Sequence, residues 1–313
     1  MTGRAPAPAG PHLALVGPTA SGKSSLALEV ARRLGDVELV SVDSMQVYRG
    51  MDVGTAKATA AEQAEVPHHL LDLADVSEDF SVARFQSAAA EAVAAIEARG
   101  RRALLVGGTG LYLQAVVDGL KLPGEWPAVR SQLEEETATP AGVGVLHRRL
   151  AVADPAAAAR IDPANQRRIV RALEVTLGSG RPFSSFGPGL GVYPPTPFRL
   201  AGVWLPREAI ARRIFDRYQA QLAGGFVDEV RALAARPGGL SRTARQALGY
   251  RELLDHLSGR TTLDDAVDLA VQRTRQFSRR QRAWFRRDPR IVWTAASANP
   301  VAVLPALLGH WGR

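Results

Sequence analysis

The segment Gly17-Pro-Thr-Ala-Ser-Gly-Lys-Ser24 constrains this chain more than any other. It fits G-x-x-x-x-G-K-[ST], and its surroundings fit as well. An apolar run, residues 12–16, precedes it. A helical pattern over residues 25–34 follows, with Leu26, Val30 and Leu34 on one face. Glycines at these spacings let backbone N–H groups curl around a phosphate, and the helix behind them presents its positive end. Lys23 reaches the terminal phosphate, and the Ser24 hydroxyl stands where a Mg²⁺ ligand belongs. Gly17, Pro18, Thr19, Ala20, Ser21, Gly22, Lys23 and Ser24 are therefore the candidate polyphosphate cradle, with Ser24 as the candidate metal ligand.

The fold follows from what flanks this loop. Residues 37–42 and 103–106 are further apolar strand candidates, and residues 81–99 form a long Ala-rich helical stretch that Ser81 can cap. Strands alternating with helices predict a parallel sheet with right-handed crossovers. After Gly119 the pattern changes. Helical segments at 129–137, 145–151, 155–158 and 166–177 follow one another without clear strands, and 179–197 is a Gly/Pro-rich loop. A strand returns at 198–205, and helices dominate from there: 207–223, 226–235 and 263–287. The expected architecture is an α/β fold, a P-loop NTPase-like parallel core with an inserted helical subdomain. The core is assigned to 11–120 and 199–300, the insertion to 121–198, and the tails to 1–10 and 301–313.

Charge is distributed unevenly. The net formal charge is +8. The balance is −4 over residues 1–120, +3 over 121–200 and +9 over 201–313. Only Lys23, Lys57 and Lys121 are lysines, so 36 of the 39 basic residues are arginine; a GC-rich codon bias accounts for that ratio but not for the sign or the gradient. A basic second half is the footprint expected of a polyanion-binding surface. There is no cysteine, hence no disulfide framework and no thiolate metal site. No apolar run approaches a membrane span, and residues 1–11 lack a signal peptide's apolar stretch. A cytoplasmic protein without a membrane partner is expected. His68 and His69 lack the carboxylate spacing of a metal site.

A P-loop alone says only that polyphosphate binds. A hydrolysing NTPase usually carries an Asp at the end of a later apolar strand to hold the metal. Here the strand at 103–106 runs into Gly107-Gly108-Thr109 instead. The acid is Asp43, at the end of the strand after the P-loop helix, where a parallel sheet opens its ligand crevice. Two readings of Asp43 stay open from position alone: a proton acceptor for a bound substrate, or a cap for the next turn.

Several separated segments agree with one family. Beside the P-loop these are Ser41-Val-Asp-Ser-Met-Gln-Val-Tyr48, Met51-Asp-Val-Gly-Thr-Ala-Lys57, Val66-Pro-His-His-Leu70 and Val106-Gly-Gly-Thr-Gly-Leu-Tyr112. Further on come NQRRIVRALEV from Asn165, Gln246-Ala-Leu-Gly-Tyr250, and TRQFSRRQRAWFR from Thr274 to Arg286. In this order, over roughly residues 12–290, the chain resembles the bacterial tRNA dimethylallyltransferases, also called tRNA isopentenyltransferases. Ala58 departs from the proline usual in that family, and 124–143 matches loosely.

The resemblance implies a donor, dimethylallyl diphosphate, whose diphosphate lies in the P-loop with Mg²⁺ at Ser24. The implied acceptor is N6 of the adenosine 3′ to the anticodon, at tRNA position 37. Asp43 is then the general base, with Thr19 and Arg217, in Arg213-Ile-Phe-Asp-Arg217, also catalytic. It puts Asp43, Ser44, Met45, Gln46, Thr109, Arg130, Gln166, Arg167, Arg168, Ile169 and Val170 against the tRNA anticodon stem-loop. Arg167, Arg168 and Arg171 read as one helix face suited to phosphates, or as an ordinary solvated face. The arginines between Arg273 and Arg287 are too many for one stripe, and Trp284 and Phe285 read as core. A monomer is expected. Three other functions fit parts of the sequence: a P-loop kinase of a small metabolite, a cytokinin-type enzyme prenylating free AMP, and an RNA-binding module with a vestigial P-loop.

Overall fold

The computed structural model describes residues 10–139, 141–187, 189–297 and 299–312. Two compact units divide them: one runs to Asp118 and resumes at Pro195, and the other is Gly119–Pro194. The tail expected at 1–10 lies, but for Gly10, outside the described residues.

The first unit holds a six-stranded sheet: β1 (His12–Val16), β2 (Val37–Val42), β3 (His68–His69), β4 (Arg102–Gly107), β5 (Phe198–Trp204) and β6 (Val292–Ala295). Their order is β3-β2-β4-β1-β5-β6, and every neighbouring pair is parallel. β1 and β2 are buried at every position, so neither alternates between a core and a solvent face; the polar Glu38 and Ser41 of β2 are buried but partnered. The edge strands β3 and β6 carry no such signal. β3 has two residues, and β6 is half exposed.

Helices α1 (Lys23–Leu34), α2 (Ala60–Glu65), α3 (Val82–Ala98) and α4 (Gly110–Val117) fill the first half of this unit. The second unit is α5 (Pro127–Glu136), α6 (Gly142–Ala153), α7 (Pro155–Ala158) and α8 (Gln166–Ser179). The first unit resumes with α9 (Arg207–Ala223), α10 (Phe226–Ala234), α11 (Arg242–Arg245), α12 (Tyr250–Leu257), α13 (Leu263–Phe285) and α14 (Leu304–Trp311). Ser81 does cap α3, accepting the Arg84 N–H. Within the second unit Leu133, Leu146, Leu150, Ile169 and Leu173 form a core of their own.

The C-terminal residues are not a tail. α14 packs on α1 and sends Leu304, Leu307 and Trp311 into the main core. Pro300, just ahead of it, seats against the P-loop at Gly22. The segment is short and follows a polar stretch, so periodicity over its 8 helical residues does not stand out.

Because the strands are parallel, their C-terminal ends open on one edge. There β1 delivers the P-loop, β2 delivers Asp43, and β4 delivers Gly108 and Thr109. In an open α/β sheet this edge is the ligand crevice.

Candidate active site

The P-loop starts where β1 ends. A side chain at Gly17 would press within 2.7 Å of the Ser21 hydroxyl. Gly22 has φ 79°, and a Cβ there would also overlap Pro300. Ala20 takes a left-handed φ of 65° without being glycine; such strain is held only where the surroundings fix it. Here Arg213 from α9 fixes it, its Nε donating to the Ala20 carbonyl at 2.8 Å. Lys23 curls back and donates to the Pro18 carbonyl at 3.3 Å. Ser24 and Ser25 are exposed on the first turn of α1.

Of the two readings of Asp43 that its sequence position left open, the structure shows the cap, and the cap does not use up the carboxylate. Oδ1 accepts the Met45 N–H at 2.8 Å, as a turn cap does. Oδ2 has no hydrogen-bond partner among the described residues. The charge also faces the cations of the crevice. Burial pushes Lys23 down to about 8, with Asp43 partly offsetting this and Arg217 adding to it. Burial likewise pushes Arg217 below the usual guanidinium range, against the pull of Tyr218 and Asp43. Lys23, Asp43 and Arg217, spread over 195 positions of sequence, therefore feel one another's charge directly. Arg217 is held by the Gly54 carbonyl at 3.3 Å, one helical turn from Arg213. The loop bearing Gly54 is itself fixed by Glu229, whose carboxylate accepts the N–H groups of Asp52, Val53 and Gly54. Gln46 closes it from the other side, donating to Thr55 and Ala56 carbonyls while accepting the Ser41 hydroxyl.

Thr109 stands beside this group. Its Oγ1 accepts the Ser44 N–H at 3.3 Å. Thr19, on the P-loop, donates its N–H to Gln281 Oε1 at 2.8 Å. Sequence reasoning missed Arg213, Glu229 and Gln281. Arg213 and Gln281 lie inside segments already singled out, but nothing in a sequence separates a loop-bracing side chain from an exposed one.

The arginines of α13 sort themselves. Arg273 pairs with the buried Glu252. Arg275, Arg279, Arg282 and Arg286 line a cleft with Arg207 and Trp204, and none of the five has an acidic partner among the described residues. Arg282 lies 3.1 Å over the Trp204 ring, and burial, then Arg207 and Arg286, pushes its guanidinium down. Phe285 is core, as expected, while Trp284 is only partly buried against it.

In the second unit, Gln166, Arg167 and Arg168 are exposed at the start of α8. The structure bears on three expectations there. Ile169 and Val170 are buried in that unit's core, so their side chains offer no surface to tRNA; on a helix the two positions after an exposed pair turn inward. Arg171 does not share an open face with Arg167 and Arg168. It donates to the Pro123 and Gly124 carbonyls and pairs with Glu174, which is fully buried. Arg130 makes two hydrogen bonds to the same Glu174 at 2.9 and 3.1 Å, leaving it partly exposed but already paired.

Among the described residues no His/Asp/Glu cluster could hold a metal. His69 instead donates to the buried Glu38, and His68 bonds the Val66 carbonyl. No helix among them is long and apolar enough to cross a membrane.

The fold and crevice define a class: a P-loop α/β protein in which a carboxylate and a second cation face the phosphate cradle. The IPP transferase family model matches residues 46–288, and the chain belongs to that family. It is 50% identical to a tRNA dimethylallyltransferase of Streptomyces coelicolor, over 96% of each chain. It is 46% identical to that of Geobacter metallireducens, over 94% of this chain and 96% of the relative. A crystal structure of the Bacillus halodurans tRNA isopentenylpyrophosphate transferase superposes with a TM-score of 0.69 at 37% identity, covering 96% of this chain and 97% of that one.

Proposed function

We propose that this chain transfers a dimethylallyl group from dimethylallyl diphosphate to an adenine N6 of tRNA, at the nucleotide 3′ to the anticodon. The observation that carries the reading is that β1 and β2 of one parallel sheet bring the P-loop and Asp43 to the same edge, with the charges of Lys23, Asp43 and Arg217 close enough to interact. N6 is a weak nucleophile because its lone pair is delocalised into the ring. As the N6–C1 bond forms, the C1–O bond breaks, and its electron pair leaves with the diphosphate. The N6 proton goes to Asp43, whose Oδ2 is open to receive it. Negative charge collects on the leaving group beside Lys23 and Arg217 and the loop N–H groups, which is where fixed cations favour a transition state most.

Mg²⁺ suits this donor set. It keeps several waters and needs only one or two protein oxygens beside substrate phosphates, and Ser24 provides an exposed hydroxyl. When bound, it neutralises charge on the leaving diphosphate. The target base has to leave its stack, which is cheap in an RNA loop. The unpaired arginines of the α13 cleft, with Arg167 and Arg168 on α8, are surfaces suited to a polyanion. A tRNA substrate implies a cytoplasmic enzyme, acting here as a monomer.

The test is mass spectrometry of hypomodified tRNA incubated with dimethylallyl diphosphate and Mg²⁺. One added C5H8 unit on the nucleotide 3′ to the anticodon is expected. Phosphate transfer from ATP in place of prenyl transfer, or modification of free AMP but not tRNA, would reject the reading.

A further inference from the structure

A second glycine-rich turn, Gly107 to Gly110, follows β4. Its glycines serve a different purpose. None of them has a positive φ. Instead, each is a place where another group comes too close for a Cβ. A side chain at Gly107 would overlap the Val42 carbonyl, one at Gly108 the Gln281 amide, and one at Gly110 the Trp284 ring. Gly108 and Gly110 thus admit α13 to the crevice, and what α13 inserts there is Gln281.

Gln281 is only 6% exposed, and both ends of its side-chain amide are used. Oε1 accepts the Thr19 N–H of the donor loop at 2.8 Å, and Nε2 donates to the Gly108 carbonyl at 2.8 Å. Gly108 is bonded to Thr109, and Thr109 Oγ1 accepts the N–H of Ser44, next to Asp43. The Thr109 N–H in turn donates to the Val42 carbonyl at 3.4 Å, just before Asp43. One side chain therefore ties the loop that grips the leaving group to the turn that braces the base. The Thr19 N–H is also occupied by Gln281, which leaves the cradle's later N–H groups for the diphosphate.

The geometry points to Gln281 as a positioning residue that sets the span between the donor cradle and the Asp43 carboxylate. It acts through Gly108 and Thr109, and touches neither reacting atom. A single amide bridging two loops does this well, since it can meet both carbonyl and N–H only at one separation. Proton transfer and bond formation are sensitive to that separation, whereas diphosphate binding alone is not.

This inference rests on the P-loop being the donor cradle and Asp43 the base. Its test compares wild type with Gln281→Leu, which keeps the volume and loses both hydrogen bonds. Turnover under saturating donor and tRNA is expected to fall on the order of tenfold, from two lost hydrogen bonds. The Kd for inorganic diphosphate, by calorimetry, should stay within about threefold, because the cradle itself is intact. Gly108→Ala should give the same split, by displacing the amide without altering Gln281, and decides alone if Gln281→Leu does not fold. Combined with Thr109→Ala, Gln281→Leu should add little to the loss seen in Thr109→Ala, since both cut one path. Unchanged turnover, a parallel fall in diphosphate affinity and turnover, or losses that multiply would each overturn the inference. Wild-type protein without prenyl product, or with diphosphate affinity indifferent to Lys23→Met, would instead reject the underlying assignment of the cradle.

Discussion

Two glycine-rich turns leave neighbouring strands of one sheet and do opposite work. The turn after β1 needs glycine for its own backbone: Gly22 has φ 79° and opens α1 with its N–H groups unencumbered. The turn after β4 needs glycine for its neighbours, because α13 brings Gln281 and Trp284 against Gly108 and Gly110. Under the proposed function the first turn is the one that takes a ligand, whereas the second is filled by protein. Glycine content alone does not distinguish them; the lysine of the first and the sign of φ do. Asp43 ends β2, on the far side of the second turn from the P-loop in strand order; Thr109 of that turn braces its neighbour Ser44, and the carboxylate's charge reaches Lys23 and Arg217.

The comparison is sharpened most by removing the carboxylate that shares their edge of the sheet. Asp43→Ala should lower turnover by at least about 10²-fold while tRNA affinity is kept, if the carboxylate takes the N6 proton. Single-turnover prenyl transfer, with tRNA binding measured beside it, checks this. Turnover within a factor of two of wild type would remove the base from the mechanism. The same variant also loses the cap on the Met45 N–H, so Asp43→Asn is the control: it keeps an acceptor for that bond and should be equally slow.

The glycines themselves break the comparison open. Gly22→Ala meets both a left-handed φ and Pro300, and should abolish diphosphate binding. Gly110→Ala meets only the Trp284 ring, and should cost about 1–3 kcal/mol of stability through overpacking with diphosphate affinity nearly unchanged. Thermal unfolding and diphosphate titration of the two variants separate the roles. If Gly110→Ala loses diphosphate as completely as Gly22→Ala does, the second turn is also a phosphate loop.

How much of this was legible beforehand depends on the range of the forces involved. The P-loop, β1, β2, β4 and β5 are local patterns: short runs rich in apolar residues, a helix period and glycines at fixed spacing. Asp43 was legible as the end of a strand. The segment 301–312 was not, because α14 is held by packing of Leu307 and Trp311 on α1 and not by a pattern of its own. Glu229, Gln281 and Arg213 were hidden for a related reason. Each bonds a backbone atom more than 170 positions away, and backbone partners leave no trace in residue identity. The α8 arginines show the reverse failure. Spacing put Arg167, Arg168 and Arg171 on one face, yet the buried carboxylate of Glu174 draws Arg171 inward.

The smallest effect concerns Lys23, and its sign can be worked out in advance. In the free protein burial lowers its pKa from 10.5 to about 8. A bound diphosphate places anionic oxygens against the ammonium and raises it again. Binding therefore takes up a proton above pH 8, and affinity that is fully present below that pH declines as pH rises through it. Between pH 7 and pH 9 the Lys23 contribution should weaken diphosphate binding by about tenfold. Diphosphate titrates in this range too, so the quantity to measure is the ratio of wild-type to Lys23→Met affinity at each pH, in which the ligand's own ionisation cancels. A ratio that stays flat from pH 7 to 9 would mean that Lys23 carries an ordinary pKa in the crevice. The first turn would then be an open loop with a solvated lysine, and its contrast with the protein-filled second turn would rest on glycine geometry alone.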